Sequence, residues 1–229
     1  MGNHIDAFIL YLHNMKKTSE NTELSYKRDL YKVQVFMENR GIGDIDAISK
    51  EDLNDYVEYL ESHKFAAATI SRNIASIKAF YHYLAKEGIV TEDISEELKA
   101  PKIEKKVPEI LTMDEVIRLL NQPKGDSLKD IRDKAMLELL YATGIRVTEL
   151  IKLKVSDLNL QMGFLICRDG NKERMIPFGN KAKNALFRYL EKGRDAMLLE
   201  YEAEELFVNC SGQPMSRQGF WKLIKHYAK

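Results

Sequence analysis

Apolar positions in the first hundred residues recur at helical spacing, and no alternating run of strand length interrupts them. Asn3 to Met15 predicts a short amphipathic helix. Ser19 predicts the start of a longer one, whose apolar stripe includes Leu30, Val33, Phe36 and Met37 before Gly41 and Gly43 end it. Ser49 followed by Asp52 has the form of an N-terminal cap and introduces a third helix through Leu60, with Leu53, Tyr56, Val57 and Leu60 inward. In the fourth, Ala66 to Lys86, the apolar residues Ile70, Ile74, Ile77, Tyr81 and Leu84 recur at steps of four, three, four and three, and Arg72, Ser76, Ala79 and Lys86 fall on the opposite face. A basic residue followed by small ones lets a helix approach a phosphate-walled groove; an ordinary solvated face has the same pattern.

The pattern changes twice further on. From Leu98 to Leu111 the run KAPKIEKKVPEIL has two prolines and no helical period, which predicts an extended linker. Thr112 and Glu115 form a capping box for TMDEVIRLL, a polar loop follows through Gly125, and a longer helix covers Ile131 to Ala142. VSDLNL, FLICR and ERMIPF are then short segments rich in β-branched or aromatic residues, separated by QMG and DGN turns, and predict a small antiparallel sheet. Helical pattern resumes at Asn180 to Leu199, LFVN predicts one more short strand, and Ser216 to Lys229 a last helix. The expected architecture is mainly α with a small antiparallel sheet: a helical domain over residues 1–100, a linker over 101–110, and a second domain over 111–229.

Composition narrows the function. The chain has 229 residues, 45% apolar and 31% charged, enough for one large or two modest cores. No run approaches the roughly 18 apolar residues of a membrane span, and the start lacks the features of a secretory signal, so no membrane partner and a cytoplasmic location are expected. Cys167 and Cys210 have no partner at metal-ligand spacing; neither a disulfide framework nor a metal site is expected, and both thiols are expected to be buried. The 35 basic and 35 acidic residues sum to zero but are segregated, net −5 over residues 1–100 and net +5 over residues 101–229. Residues 44–61 hold seven acids and one base, residues 62–86 four bases and no acid, and residues 165–188 six bases against two acids. Two positive stretches, one in each half, suit a protein gripping a polyanion from two sides; uneven solvated surface would give the same counts.

The candidate chemistry lies in ATGIRVTELIKL at 142–153 and the hairpin CRDGNKERMIPF at 167–178. Arg146 and Glu149 stand among apolar residues, where a buried guanidinium needs a carboxylate or an anionic ligand. Asp169, Gly170 and Asn171 make a tight turn that carries Lys172 and Arg174 near a hairpin tip, able to reach a ligand or simply to solvate the surface.

Together these stretches resemble the tyrosine recombinases, the family of phage integrases and Xer resolvases, and the Xer branch most closely. The similarity spans nearly the whole chain: the SYKRDL and TISRNIASIKAFYHYL helices, the proline-bearing linker, TGIRVTELIKLKVSDL and GNKERMIPF. The resemblance implies a four-helix, SAM-like DNA-clamping domain followed by part of an α+β tyrosine recombinase catalytic domain. By the same resemblance Arg146 matches the first catalytic arginine, whose fork would hold non-bridging oxygens of the scissile phosphate. Lys172 matches the hairpin lysine that protonates the departing 5′ oxygen, and Glu149 a supporting carboxylate that orients Arg146. Tyr26, Arg28, Arg72, Lys78 and Arg174 lie where the family meets double-stranded DNA, as phosphate contacts. The implied reaction is strand exchange through a 3′-phosphotyrosine, without metal or other cofactor, by a tetramer on two DNA sites. The family's His-x-x-Arg box and nucleophilic Tyr follow the region that QGFWKLIKHYAK matches, and His226 and Tyr227 belong to the preceding helix. A fragment, engineered or natural, that binds DNA without cleaving it is therefore expected; a catalytically inactive accessory protein and a helical protein-interaction module are the rival readings.

Overall fold

A computed structural model describes residues 1–103, 107–169 and 172–229, and divides the chain into two compact units, Met1–Val107 and Pro108–Lys229. The turn expected at Gly170 and Asn171 lies outside the described residues.

The first unit is helical. It contains α1 (Gly2–Tyr11), continued by one π-helical turn at Leu12–Lys16, then α2 (Glu20–Asn39), α3 (Lys50–Ser62) and α4 (Ala67–Lys86). The starts of α2 and α3 are where short polar side chains can take otherwise unpaired amides. Ser19 accepts from the Thr22 amide, and Ser49 and Asp52 exchange bonds in a capping box. The core holds Phe8, Leu30, Val33, Met37, Leu53, Tyr56, Ile77, Phe80 and Leu84. One expectation fails here. Ser76 is 0% exposed, not on a solvated face, because α4 packs against α1, α2 and α3 and is covered well beyond its apolar stripe. Its hydroxyl donates 2.8 Å to the Asn73 carbonyl, and the Asn73 side chain accepts 3.0 Å from Tyr56, so these polar groups are satisfied inside the unit.

The second unit begins with α5 (Met113–Leu120), capped by Thr112 and Glu115, and α6 (Leu128–Thr143), capped by Ser127 and so starting earlier than its apolar run. Next come α7 (Val147–Lys152), β1 (Leu158–Asn159), β2 (Phe164–Asp169) and β3 (Lys172–Pro177) in an antiparallel sheet of that order. Then α8 (Asn180–Arg188) runs through a π-helical turn at Tyr189–Arg194 into α9 (Asp195–Leu198), and α10 spans Arg217–Tyr227. α6 packs against α8 and the π turn, with Ala135, Met136, Leu139, Leu186 and Tyr189 fully buried. A buried ion pair joins Arg132 to Asp133 at 2.6 Å, and Asp133 also accepts 3.0 Å from the Tyr227 hydroxyl, tying α10 to α6. LFVN makes no strand: Glu205 and Val208 form only isolated bridges, to Lys154 and Pro214. Cys167 is buried as expected, but Cys210 is exposed, since the Asn209 side chain caps the following amides in a surface turn and leaves its neighbour outside.

Candidate phosphate site and nucleic-acid interface

Gly144 ends α6 with φ 61° and ψ 19°, a left-handed conformation that suits glycine, while its amide bonds the Leu140 carbonyl at 2.9 Å. Ile145 then inserts into the core, and Arg146 takes the extended cap position of α7 with φ −69° and ψ 149°. This placement reverses the expectation about burial. The Arg146 side chain is 70% exposed, because the cap residue projects past the helix end, whereas Glu149 is 7% exposed.

Glu149 is the joint of the site. Its carboxylate accepts 2.7 Å from the Arg146 amide and meets Arg146 Nη1 at 3.4 Å and Arg174 Nη2 at 2.9 Å. The buried Cys167 thiol also hydrogen-bonds it. Burial alone would raise the Glu149 carboxyl; the Arg146 amide, the Arg174 guanidinium and the Cys167 thiol more than offset that and hold its pKa below the usual value.

The sheet register places the hairpin lysine. Leu165 pairs with Ile176, Cys167 with Arg174, and Asp169 with Lys172. Directly paired residues share a face, and so do residues two apart on one strand. Lys172 is exposed and therefore projects from the face that carries Arg174, about 6.6 Å further along β3. Arg168, on the opposite face, is ion-paired to Asp157 and, at 2.7 Å, to Glu173. Arg146, Glu149 and Arg174 thus meet, with Lys172 on the same side of the sheet.

The first unit offers a groove of about 760 Å³. One wall is the stripe Arg28, Lys32, Val35 and Asn39 of α2; Tyr59 of α3, Phe65 and Arg72 complete it. Arg72 donates 3.0 Å to Asp29, which is 1% exposed and whose second oxygen has no hydrogen-bond partner. Burial raises the Asp29 carboxyl, against the pull of Arg72 and Lys32. Lys32 lies 5.6 Å from the Phe65 ring centre, a cation–π contact. Of the expected DNA-facing residues only Arg28 and Arg72 come together. Tyr26 is half-buried against the core, and Lys78 donates 2.9 Å to the Glu96 carbonyl. At 100° per residue neither can share the face of its basic neighbour. Lys32, Phe65 and Asp29 went unnoticed in the sequence, although the Arg28–Lys32 spacing of one helical turn was there to be read.

Tyr227 does not approach this chemistry. Its hydroxyl donates to Asp133 and, at 3.3 Å, to Asp130, and its pKa is pushed up by burial and by those carboxylates. Among the described residues no three His, Cys, Asp or Glu side chains gather as a metal site, and no helix is long and apolar enough to cross a membrane.

Comparison with known proteins places these features. Residues 109–229 match the phage integrase family and residues 5–88 match the phage integrase N-terminal SAM-like domain. The tyrosine recombinase XerD of Oceanobacillus iheyensis is 43% identical over 224 residues, covering 96% of this chain and 75% of the relative. XerD of Halalkalibacterium halodurans is 40% identical over 231 residues, covering 100% and 77%. In fold, the chain is similar to a lambda integrase tetramer bound to a Holliday junction, with TM-score 0.74 and 17% identity over 99% of this chain and 62% of that one. With a family model over more than half its length and XerD relatives at this identity, the chain belongs to the phage integrase family, the tyrosine recombinases, and is XerD-like within it.

Proposed function

We propose that this protein acts in site-specific DNA recombination, holding duplex DNA through both units and presenting Arg146 and Lys172 to one phosphodiester. The observation that carries this is the shared carboxylate: Glu149 takes the Arg146 amide and the Arg174 guanidinium, so the cap of α7 and the lysine-bearing strand are held side by side. Arg146, whose side chain is 70% exposed beside Glu149, can turn its planar fork to two non-bridging oxygens and offset charge as the pentacoordinate state forms. Lys172 would give its proton to the 5′ oxygen as the phosphorus–oxygen bond breaks; such a positioned acid contributes about 10²- to 10⁴-fold. In the family's reaction a tyrosyl oxygen forms the new bond to phosphorus, and a 5′ hydroxyl from the partner strand reverses the step. The bonds exchanged are of equal kind, so no nucleotide is hydrolysed.

Arg28 contacts phosphates from the groove of the first unit, and Arg72 does so through the part of its guanidinium that its Nη2 bond to Asp29 leaves over. Four subunits act on two DNA sites, as in the lambda integrase assembly on its junction. The protein works in the cytoplasm. The 229 residues contain no His-x-x-Arg sequence, and Tyr227 is bound to two carboxylates, so a polypeptide of these residues alone binds DNA without cutting it.

Titrating the 229-residue chain with duplex DNA at several salt concentrations tests binding: affinity falling steeply and linearly on logarithmic axes is expected, and no affinity at low salt would end the proposal. For catalysis, these residues can replace the corresponding part of the Oceanobacillus XerD. In that chimaera Arg146→Ala and Lys172→Ala should each abolish strand cleavage with duplex affinity nearly unchanged, and retained cleavage in either would show its role to be wrongly assigned.

A further inference from the structure

We propose that Arg174 is a positioning residue rather than a DNA contact: its ion pair with Glu149 clamps the β2–β3 hairpin to the amino end of α7 and so fixes Lys172 relative to Arg146. Among the described residues, two arginine ion pairs reach outward from the hairpin, one on each face. Arg168 holds the solvent face to Asp157, and Arg174 holds the inner face to Glu149. Arg174 pairs directly with Cys167, whose buried thiol hydrogen-bonds the same carboxylate, so the clamp closes over that thiol. Only Glu173 separates Arg174 from Lys172, too short a stretch of strand for one to move without the other.

Charge separates this role from phosphate binding. Glu149 is 7% exposed, and moving Arg174 onto a phosphate would leave a buried carboxylate short of its counter-charge, the costly half of a broken pair. Arg174 is thus already neutralised where it stands. The importance of Lys172 rests on the recombination proposal above; the clamp itself needs no DNA.

Cys167 supplies the readout. In a Cys210→Ser background, which removes the exposed thiol, Ellman's reagent reports how often the hairpin, with Cys167 on its inner face, lifts off the amino end of α7. Arg174→Gln is expected to speed that reaction by about tenfold or more, through easier local opening, and Arg174→Lys should restore most of the protection. Glu149→Gln breaks the same clamp from the other side and should give the same rise, so the test survives if one variant fails to fold. The salt slope of duplex binding should be unchanged in Arg174→Gln. In the XerD chimaera Arg174→Gln should slow cleavage at saturating DNA, by about 10²-fold for a displacement near 1 Å, with half-saturation unchanged. A salt slope shallower by about 0.9, the signature of one lost phosphate contact, together with an unchanged Cys167 rate, would overturn the clamp. So would unchanged Cys167 rates in both Arg174→Gln and Glu149→Gln. A wild-type chain with no DNA affinity would instead sink the recombination proposal and leave the thiol rates to decide on the clamp.

Discussion

Neutralising Asp133 should destabilise the second unit by an amount the structure allows to be worked out. Arg132 is 4% exposed and Asp133 0%, and the guanidinium places Nε 2.9 Å and Nη2 2.6 Å from the same carboxylate oxygen. Asp133→Asn keeps the shape and an acceptor for Tyr227 but leaves Arg132 charged in a dry site, with the Val208 carbonyl 3.2 Å away. Breaking a buried pair on one side costs about 3–5 kcal/mol, and the retained amide favours the lower end. With a urea slope of about 2 kcal/mol per molar, the unfolding midpoint should fall by roughly 1.5 M. The assay is selective, because the single tryptophan, Trp221, lies in α10 and is 58% exposed. Its fluorescence reports the second unit, while circular dichroism follows the helices of both, so the loss should appear in one transition and not the other. Arg132→Met combined with Asp133→Asn removes the orphaned charge and should recover much of the loss. A single-variant cost below about 1 kcal/mol, or no recovery in the double variant, would refute the claim that this pair is desolvated.

Three further outcomes follow from the geometry. Because the Glu149 carboxyl is held low when folded, its contribution to stability is fully present above the unfolded pKa and is lost as pH falls through the folded one; the difference between wild type and Glu149→Gln in Trp221-monitored unfolding should shrink below about pH 4. Burial raises the Asp29 carboxyl, so charging it costs more in the folded chain than in the unfolded one; Asp29→Asn should leave the first unit as stable or more stable and steepen the salt slope of DNA binding by up to about 0.9 as Arg72 loses its counter-charge. Gly144→Ala meets no atom within 4 Å, so it should cost only the left-handed backbone strain, about 1–2 kcal/mol in the fluorescence transition, with Gly144→Asn losing less.

Elements were legible where their causes are local. The capping boxes at Ser49 and Thr112 name their own helices, since the cap and its acceptor stand three residues apart in the sequence as in space. The hairpin was legible because β-branched runs flank turn residues. What the sequence hid is which cations already have partners. Arg72 meets Asp29 across 43 residues and Arg174 meets Glu149 across 25, and no window of charge can foresee such pairs. The base-rich stretch over residues 62–86 looks like a ready polyanion surface, yet Arg72 is bound to a carboxylate, Lys78 to a carbonyl, and Lys86 lies 5.3 Å from the Tyr11 ring centre. A cation already paired within the fold releases fewer counterions when a phosphate arrives, because part of its charge is spent before binding begins. Which cations remain available to an anion is therefore a tertiary property: the pairs of Arg72 with Asp29 and of Arg174 with Glu149 are set by the fold and not by the local density of charge.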